Sequence, residues 1–206
     1  MTISTRLERI HREFAGDTDY PEAGSEDFLV RLDSVNAAIT EWENKVKEGV
    51  YWEELKDSAT VSCGGTGTDS LPTDFLSFIR KNNADDDFSA LVIGNEYWLE
   101  VSMAQGIRAM QEGISPHIFW REGNNLRSLP AMSGSLALPY IRKATRYETG
   151  AETEEPEMKD PTFIDDFVLG KLYLKNEDDS LYQASMLSAK EKLDAMMYDT
   201  IASFSE

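Results

Sequence analysis

The last fifth of the chain, Asp160 to Phe204, limits the fold most, because it reads as two antiparallel helices joined by a short acidic turn. Asp160-Pro161 supplies an N-cap carboxylate and a proline at the first helical position, where a missing N–H costs nothing. Ile164, Phe167, Val168 and Leu172 then recur at helical spacing. Asn176-Glu177-Asp178-Asp179 favours a turn over further helix. Ser180 caps a second helix, in which Tyr182, Met186, Ala189, Leu193 and Met196 form an apolar stripe that Met197, Ile201 and Phe204 carry onward. Two helices so closely linked bury their stripes on each other. This is a packing motif with no catalytic constellation in it.

The other end of the chain offers partners for that hairpin. Leu7, Ile10 and Phe14 mark a short helix stopped by Gly16, and Ser25 caps a longer one with the stripe Phe28, Leu32, Val35, Ile39, Trp42 and Val46, ended by Gly49. Between the two helical ends the texture changes to β. Thr60 to Cys63 alternates like a strand, and Asp74 to Arg80 is an apolar run of either type. Phe88–Ile93 and Tyr97–Val101 flank the tight turn Gly94-Asn95, and His117–Arg121 and Leu126–Leu129 flank Gly123-Asn124-Asn125, so both read as hairpins. Ala137 to Tyr147 is a last strand, placed at an edge or a bulge by Pro139. Met103 to Gly113 reads as a short helix or a ragged loop, with an irregular segment carrying some strand the favoured reading. The expected fold is α+β: a four-helix body from residues 1–56 and 160–206, a β-rich insert at 57–148, and an exposed acidic connector at 149–159.

The formal net charge is −18 over 206 residues. Such a balance disfavours general binding to phosphate backbones, which needs a basic surface. The single cysteine, Cys63, excludes an intrachain disulfide, and with only His11 and His117 beside it a Cys/His zinc site is not expected. No apolar stretch reaches the length of a membrane span, and Met1 to Phe14 lacks the apolar core of a signal peptide, so cytoplasmic synthesis and use are expected.

Several residues invite chemistry and have plainer readings. The loop Gly64-Gly65-Thr66-Gly67-Thr68 lacks the lysine and spacing of a phosphate cradle and reads as a hairpin tip. Cys63 has no neighbouring base in sequence. Asn82, Asn83, Asp85, Asp86 and Asp87 lack the glycine bend and terminal glutamate of a calcium loop. His117 reads as a hydrogen-bonded strand histidine and His11 as an exposed one on a charged helix. Asp165 and Asp166 would serve a carboxylate-based enzyme, but no pairing stands out. Met186, Met196, Met197, Tyr198 and Phe204 give the chain's end more adaptable apolar surface than one stripe uses.

Together these pieces resemble a known family. Arg31-Leu32-Asp33-Ser34-Val35-Asn36-Ala37-Ala38-Ile39, Leu71-Pro72-Thr73-Asp74-Phe75, Tyr140-Ile141-Arg142-Lys143-Ala144 before an acidic gap, and the hairpin Phe163-Ile164-Asp165-Asp166-Phe167-Val168 to Ala189-Lys190-Glu191-Lys192-Leu193 are similar to head–tail adaptor proteins of tailed bacteriophages, of the tail tubular protein A or gatekeeper type. The resemblance implies a structural virion protein and no enzyme. It implies a homo-oligomeric, dodecameric ring beneath the portal, with a tail tube or nozzle protein on its other side and DNA passing through without sequence-specific binding. It implies no cofactor, metal or membrane. By analogy, Met196, Met197, Tyr198, Ile201 and Phe204 would contact the portal, and the tips Gly94, Asn95, Gly123 and Asn124 the tail side. An acidic lumen would keep DNA from sticking. The charge also fits a different class, an acidic DNA mimic that occupies a host nucleic-acid-binding protein.

Overall fold

A side-chain oxygen placed over the free N–H groups of a helix start fixes where that helix begins. Thr2 and Ser25 both do this in the computed structural model, which describes residues 1–16, 19–79, 90–93, 96–114 and 116–203. The protein is α+β. Its described residues hold five α-helices, α1 (Ile3–Ala15), α2 (Glu26–Asn44), α3 (Met103–Glu112), α4 (Thr162–Lys175) and α5 (Asp179–Ser203), and two β-sheets. The chain divides into two compact units, one of Met1–Glu54 with Ala144–Glu206 and one of Leu55–Lys143.

In the first unit α4 is the central element, because α1, α2 and α5 all pack against it. Its sequence reads as one stripe, yet Phe163, Ile164, Phe167, Val168, Leu169 and Leu172 are all buried, so apolar residues cover most of its circumference. A helix that is apolar all round belongs inside a core. Asp160 Oδ1 accepts from the Thr162 amide at 3.0 Å where α4 begins. The turn after α4 places Glu177 in the left-handed region at φ 60°. Asp178 then caps α5, its Oδ1 accepting from the Leu181 amide at 3.1 Å, so the cap lies two residues before the expected Ser180. Helices α4 and α5 approach closely at Gly170, where a Cβ would lie 2.8 Å from Met186 Sδ. Trp42 and Trp52 stack at 5.5 Å, and the Trp52 indole N–H donates to the Trp42 carbonyl.

The acidic connector is not the free loop its composition suggests. The Ile3 and Ser4 amides, at the head of α1, donate to the Glu154 and Glu152 carbonyls. The N-terminal ammonium reaches Glu155 at 2.6 Å and holds its carboxyl below the usual range. Asn36 of α2 both donates to the Tyr147 carbonyl and accepts from its amide, and Tyr147 Oη donates to the Glu155 carbonyl. Burial pushes that phenol up to about 12. Thr145 binds Glu157 through its amide and hydroxyl, and Met158 is buried. Carboxylates that composition marks as solvated thus sit on a segment held by its backbone.

The described residues of the second unit hold eight strands: β1 (Lys56–Gly64), β2 (Thr68–Ser70), β3 (Phe75–Phe78), β4 (Ala90–Ile93), β5 (Glu96–Glu100), β6 (Ile118–Glu122), β7 (Asn125–Leu129) and β8 (Ser133–Arg142). They form sheets of order β1-β8-β3 and β2-β7-β6-β5-β4. Val61, Phe75, Leu136 and Leu138 from the first sheet meet Trp98, Phe119 and Leu126 from the second in one core cluster. Pro139 lies inside the middle strand of its sheet, not at an edge; pairing to β3 stops at Tyr140, one residue away. The glycine loop at 64–68 is no hairpin tip, since β1 and β2 belong to different sheets. It is pinned by bonds from Gly65 N to Met132 O and from Ser128 N to Gly67 O. Gly67 is required there, at φ 72° and with a would-be Cβ 3.0 Å from the Ser128 carbonyl.

Residues 103–113 hold the short helix, the less favoured of their two readings, and not an irregular segment. Ser102 and Gln105 form a reciprocal capping box at the start of α3, and Gly113 closes it at φ 66°. Helix α3 is the crossover between β5 and β6, which pair in parallel.

Candidate assembly surfaces

The end of α5 is positioned by polar bonds to the first turns of α4. Lys192 Nζ lies 2.6 Å from an Asp166 carboxylate oxygen and donates to the Thr162 carbonyl at 3.4 Å, while Ser188 Oγ donates to the same carboxylate at 2.5 Å. Thr162 is the first residue of α4, so α5 continues past its partner from Leu193 to Ser203. Leu193 and Met196 turn inward there, and Met197 is half-buried. Tyr198 and Ile201, by contrast, are 75% and 54% exposed.

This placement corrects one proposed contact residue. Met196 is 5% exposed and belongs to the core, because the spacing that continues the stripe from Leu193 keeps it on the inner face. Tyr198 and Ile201 remain as an outer face; Phe204 lies outside the described residues. Of the loop tips, Gly123 and Asn124 are exposed, with Gly123 at φ 63°. The tip is held, since the Asn124 carbonyl accepts from the Leu71 amide and the Gly123 carbonyl from Arg121 Nε. Gly94 and Asn95 lie outside the described residues, as do Asn82, Asn83, Asp85, Asp86 and Asp87. A groove of about 390 Å³ runs over Phe163, Phe167, Met186 and Leu193, with Lys45 and Lys190 at its rim.

The two carboxylates weighed for catalysis are each held by cations. Asp165 is 4% exposed and accepts on Oδ2 from both Arg6, at 2.7 Å, and Arg9. Burial pushes its carboxyl up, and the two guanidiniums pull it back. Asp166 takes Lys192 and Ser188. Among the described residues no group of three His, Cys, Asp or Glu is gathered as metal ligands.

His11 is not on the surface. It is 7% exposed, packs edge-on against Tyr20, and its Nδ1 lies 3.1 Å from Arg31 of α2. The charged residues around it in sequence hid that inward face. His117 is exposed, lies against Trp98, and accepts through its carbonyl from the Leu99 amide.

Cys63 is buried in the core of the second unit. Burial, with Asp69 adding to it, raises its thiol to about 11. The thiolate is the reactive form. Iodoacetamide at pH 8 is therefore expected to label Cys63 of the native protein over 100-fold more slowly, roughly, than a free thiol. Full labelling is expected in urea, read by intact mass.

Sequence reasoning missed one surface altogether. Met103, Ile107, Met110 and Ile114 stand 45%, 39%, 48% and 52% exposed along α3 and its C-terminal extension. Their helical spacing was the available signal, masked by the glycines and polar residues among them. Among the described residues no helix is long and apolar enough to cross a membrane. The chain matches no protein-family model, and no curated protein matches its sequence.

Proposed function

We propose that the chain is a structural virion protein, a head–tail adaptor subunit that forms a ring beneath the portal, joins it to the tail and lines the DNA passage. In this reading the N- and C-terminal helices make a four-helix body that carries the β-rich insert. The observation that carries it is the end of α5, which runs on past the start of α4 and is tied at Asp199 to Lys159 at 3.2 Å. A helix continued past its partner, with an inner face closed by Leu193 and Met196 and an outer face carrying Tyr198 and Ile201, is built to meet another protein. The net charge of −18 supports a lumen that passes DNA without holding it.

Mixing the purified protein with the portal of the same virion is expected to give stacked rings in negative stain. Met197→Glu with Ile201→Glu is expected to weaken that association at least tenfold while leaving the melting temperature within a few degrees. Failure to associate across a range of salt concentrations would overturn the reading. The same charge supports a DNA mimic, which would instead retain a DNA-binding enzyme from host lysate and release it to added DNA.

A further inference from the structure

Helix α3 buries the wrong face for an ordinary amphipathic helix. Gly106 is buried against the Trp120 ring and Ala109, three residues on, is half-buried, while the small residues at the helix ends, Ser102 and Gly113, are exposed. One residue further round, about 100° by helix geometry, lies the line Met103, Ile107 and Met110, with Ile114 just past the left-handed cap Gly113, and all four are exposed. The large apolar face is therefore left open while the small one takes the sheet.

The open face continues onto the sheet. In the parallel pair β5–β6, Leu99 stands opposite Ile118, so Tyr97 and Leu99 share a face with Ile118 and Trp120, the face on which α3 lies. Tyr97 is 70% and Leu99 43% exposed. The six side chains present a patch on the order of 500 Å², at the upper end of what a monomer leaves open. That approaches the roughly 800 Å² that each partner gives to a standard interface.

We propose that this patch is the contact between neighbouring copies of the chain, an inference that builds on the ring reading by naming one of the surfaces that closes the ring. Two observations select a second copy as the occupant. The spacing of four and three residues along Met103, Ile107 and Met110 is the start of a seam into which side chains of another packed element interdigitate. Charge is the second. Copies carrying −18 each repel, yet between Tyr97 and Trp120 the charged residues are Glu100, which alternation puts on the other face of β5, and Arg108 and Glu112, which pair with each other at 2.7 Å. Like copies meet at least cost where their surface is neutral. Anionic lipid and nucleic acid are disfavoured by the same net charge.

The test uses the full chain. Mass photometry and sedimentation velocity are run on wild type, on Ile107→Glu/Met110→Glu and on Leu187→Glu, a 58% exposed position of α5, with circular dichroism confirming the fold. The α3 variant is expected to shift self-association to at least 100-fold higher concentration, and Leu187→Glu to shift it less than threefold. Hydrogen-peroxide oxidation of wild-type Met103 and Met110 supplies a measurement free of substitutions: both are expected to be protected in the assembled form and oxidised on dilution. Rings that survive the α3 substitutions with both methionines still reactive would overturn this inference and leave the ring reading standing. A two-copy species abolished by those substitutions would support the α3 contact and overturn the ring. Protection that appears only on adding portal would give the patch to the portal and overturn the inference, and a chain monomeric at every concentration would overturn both.

Discussion

Replacing Asp165 by alanine is expected to cost about 3 kcal/mol or more of stability, the penalty for leaving a buried charge without its partner. Arg6 and Asp165 side chains are 8% and 6% exposed, and the Arg6 Nη1–Asp165 Oδ2 contact of 2.7 Å ties α1 to the central helix α4. Arg9, at 47% exposure, can turn to water when the carboxylate is lost; Arg6 cannot. Its other bond, from Nη1 to the Pro161 carbonyl at 3.2 Å, carries no compensating charge. The carboxyl itself is raised by burial against the pull of the arginines, so the pair gains little over an apolar replacement. Replacing both partners, Arg6→Leu with Asp165→Leu, is therefore expected to recover most of the loss. Urea unfolding of the four corners of the cycle measures this. A single Asp165→Ala cost below about 1 kcal/mol would show that the pair does not hold α1 in place.

The helical elements were legible because their signals are local. The cap at Ser25, the stop at Gly16 and the stripes of α2 and α5 all lie within a few residues of what they control; at α4 the cap position falls on Pro161, one residue after the expected Asp160, whose carboxylate still accepts from the Thr162 amide. What the sequence hid was set by distant partners. Helix α4 looked one-sided because its other faces are covered by α1 and α2, far away in the chain. His11 looked exposed because its partners, Arg31 and Tyr20, lie on later segments. The connector at 149–159 looked free because its restraints come from elsewhere in the chain, backbone bonds from Ile3 and Ser4 and side-chain bonds from Thr145 and Tyr147, which composition does not register. Of the proposed portal contacts, the inward turn of Met196 follows from the same periodicity that marked it, since it continues the stripe of Ala189 and Leu193. Helix α3 was concealed for another reason. Its glycines lowered its helical propensity, and one of them is there for the sheet beneath it.

That glycine gives the second large effect. Gly106→Val is expected to destabilise the second unit by about 3 kcal/mol, the upper range of overpacking in a closed core. A Cβ at position 106 would stand 2.5 Å from two atoms of the Trp120 ring, which is 2% exposed and has little room to move. Alanine is the sharper test, because two effects oppose. Removing a glycine from a helix interior gains about 1 kcal/mol in propensity. Even a methyl group must lift α3 from β6, at about 1–3 kcal/mol. The clash is expected to win, so Gly106→Ala should lower the urea midpoint and alter Trp120 fluorescence. Gly113→Ala is the control: nothing lies within 4 Å of its Cβ, and its φ of 66° alone sets the cost. If Gly106→Ala were stabilising instead, α3 would not be seated on its small face. The exposure of Met103, Ile107 and Met110, which depends on that seating, would then lose its physical basis.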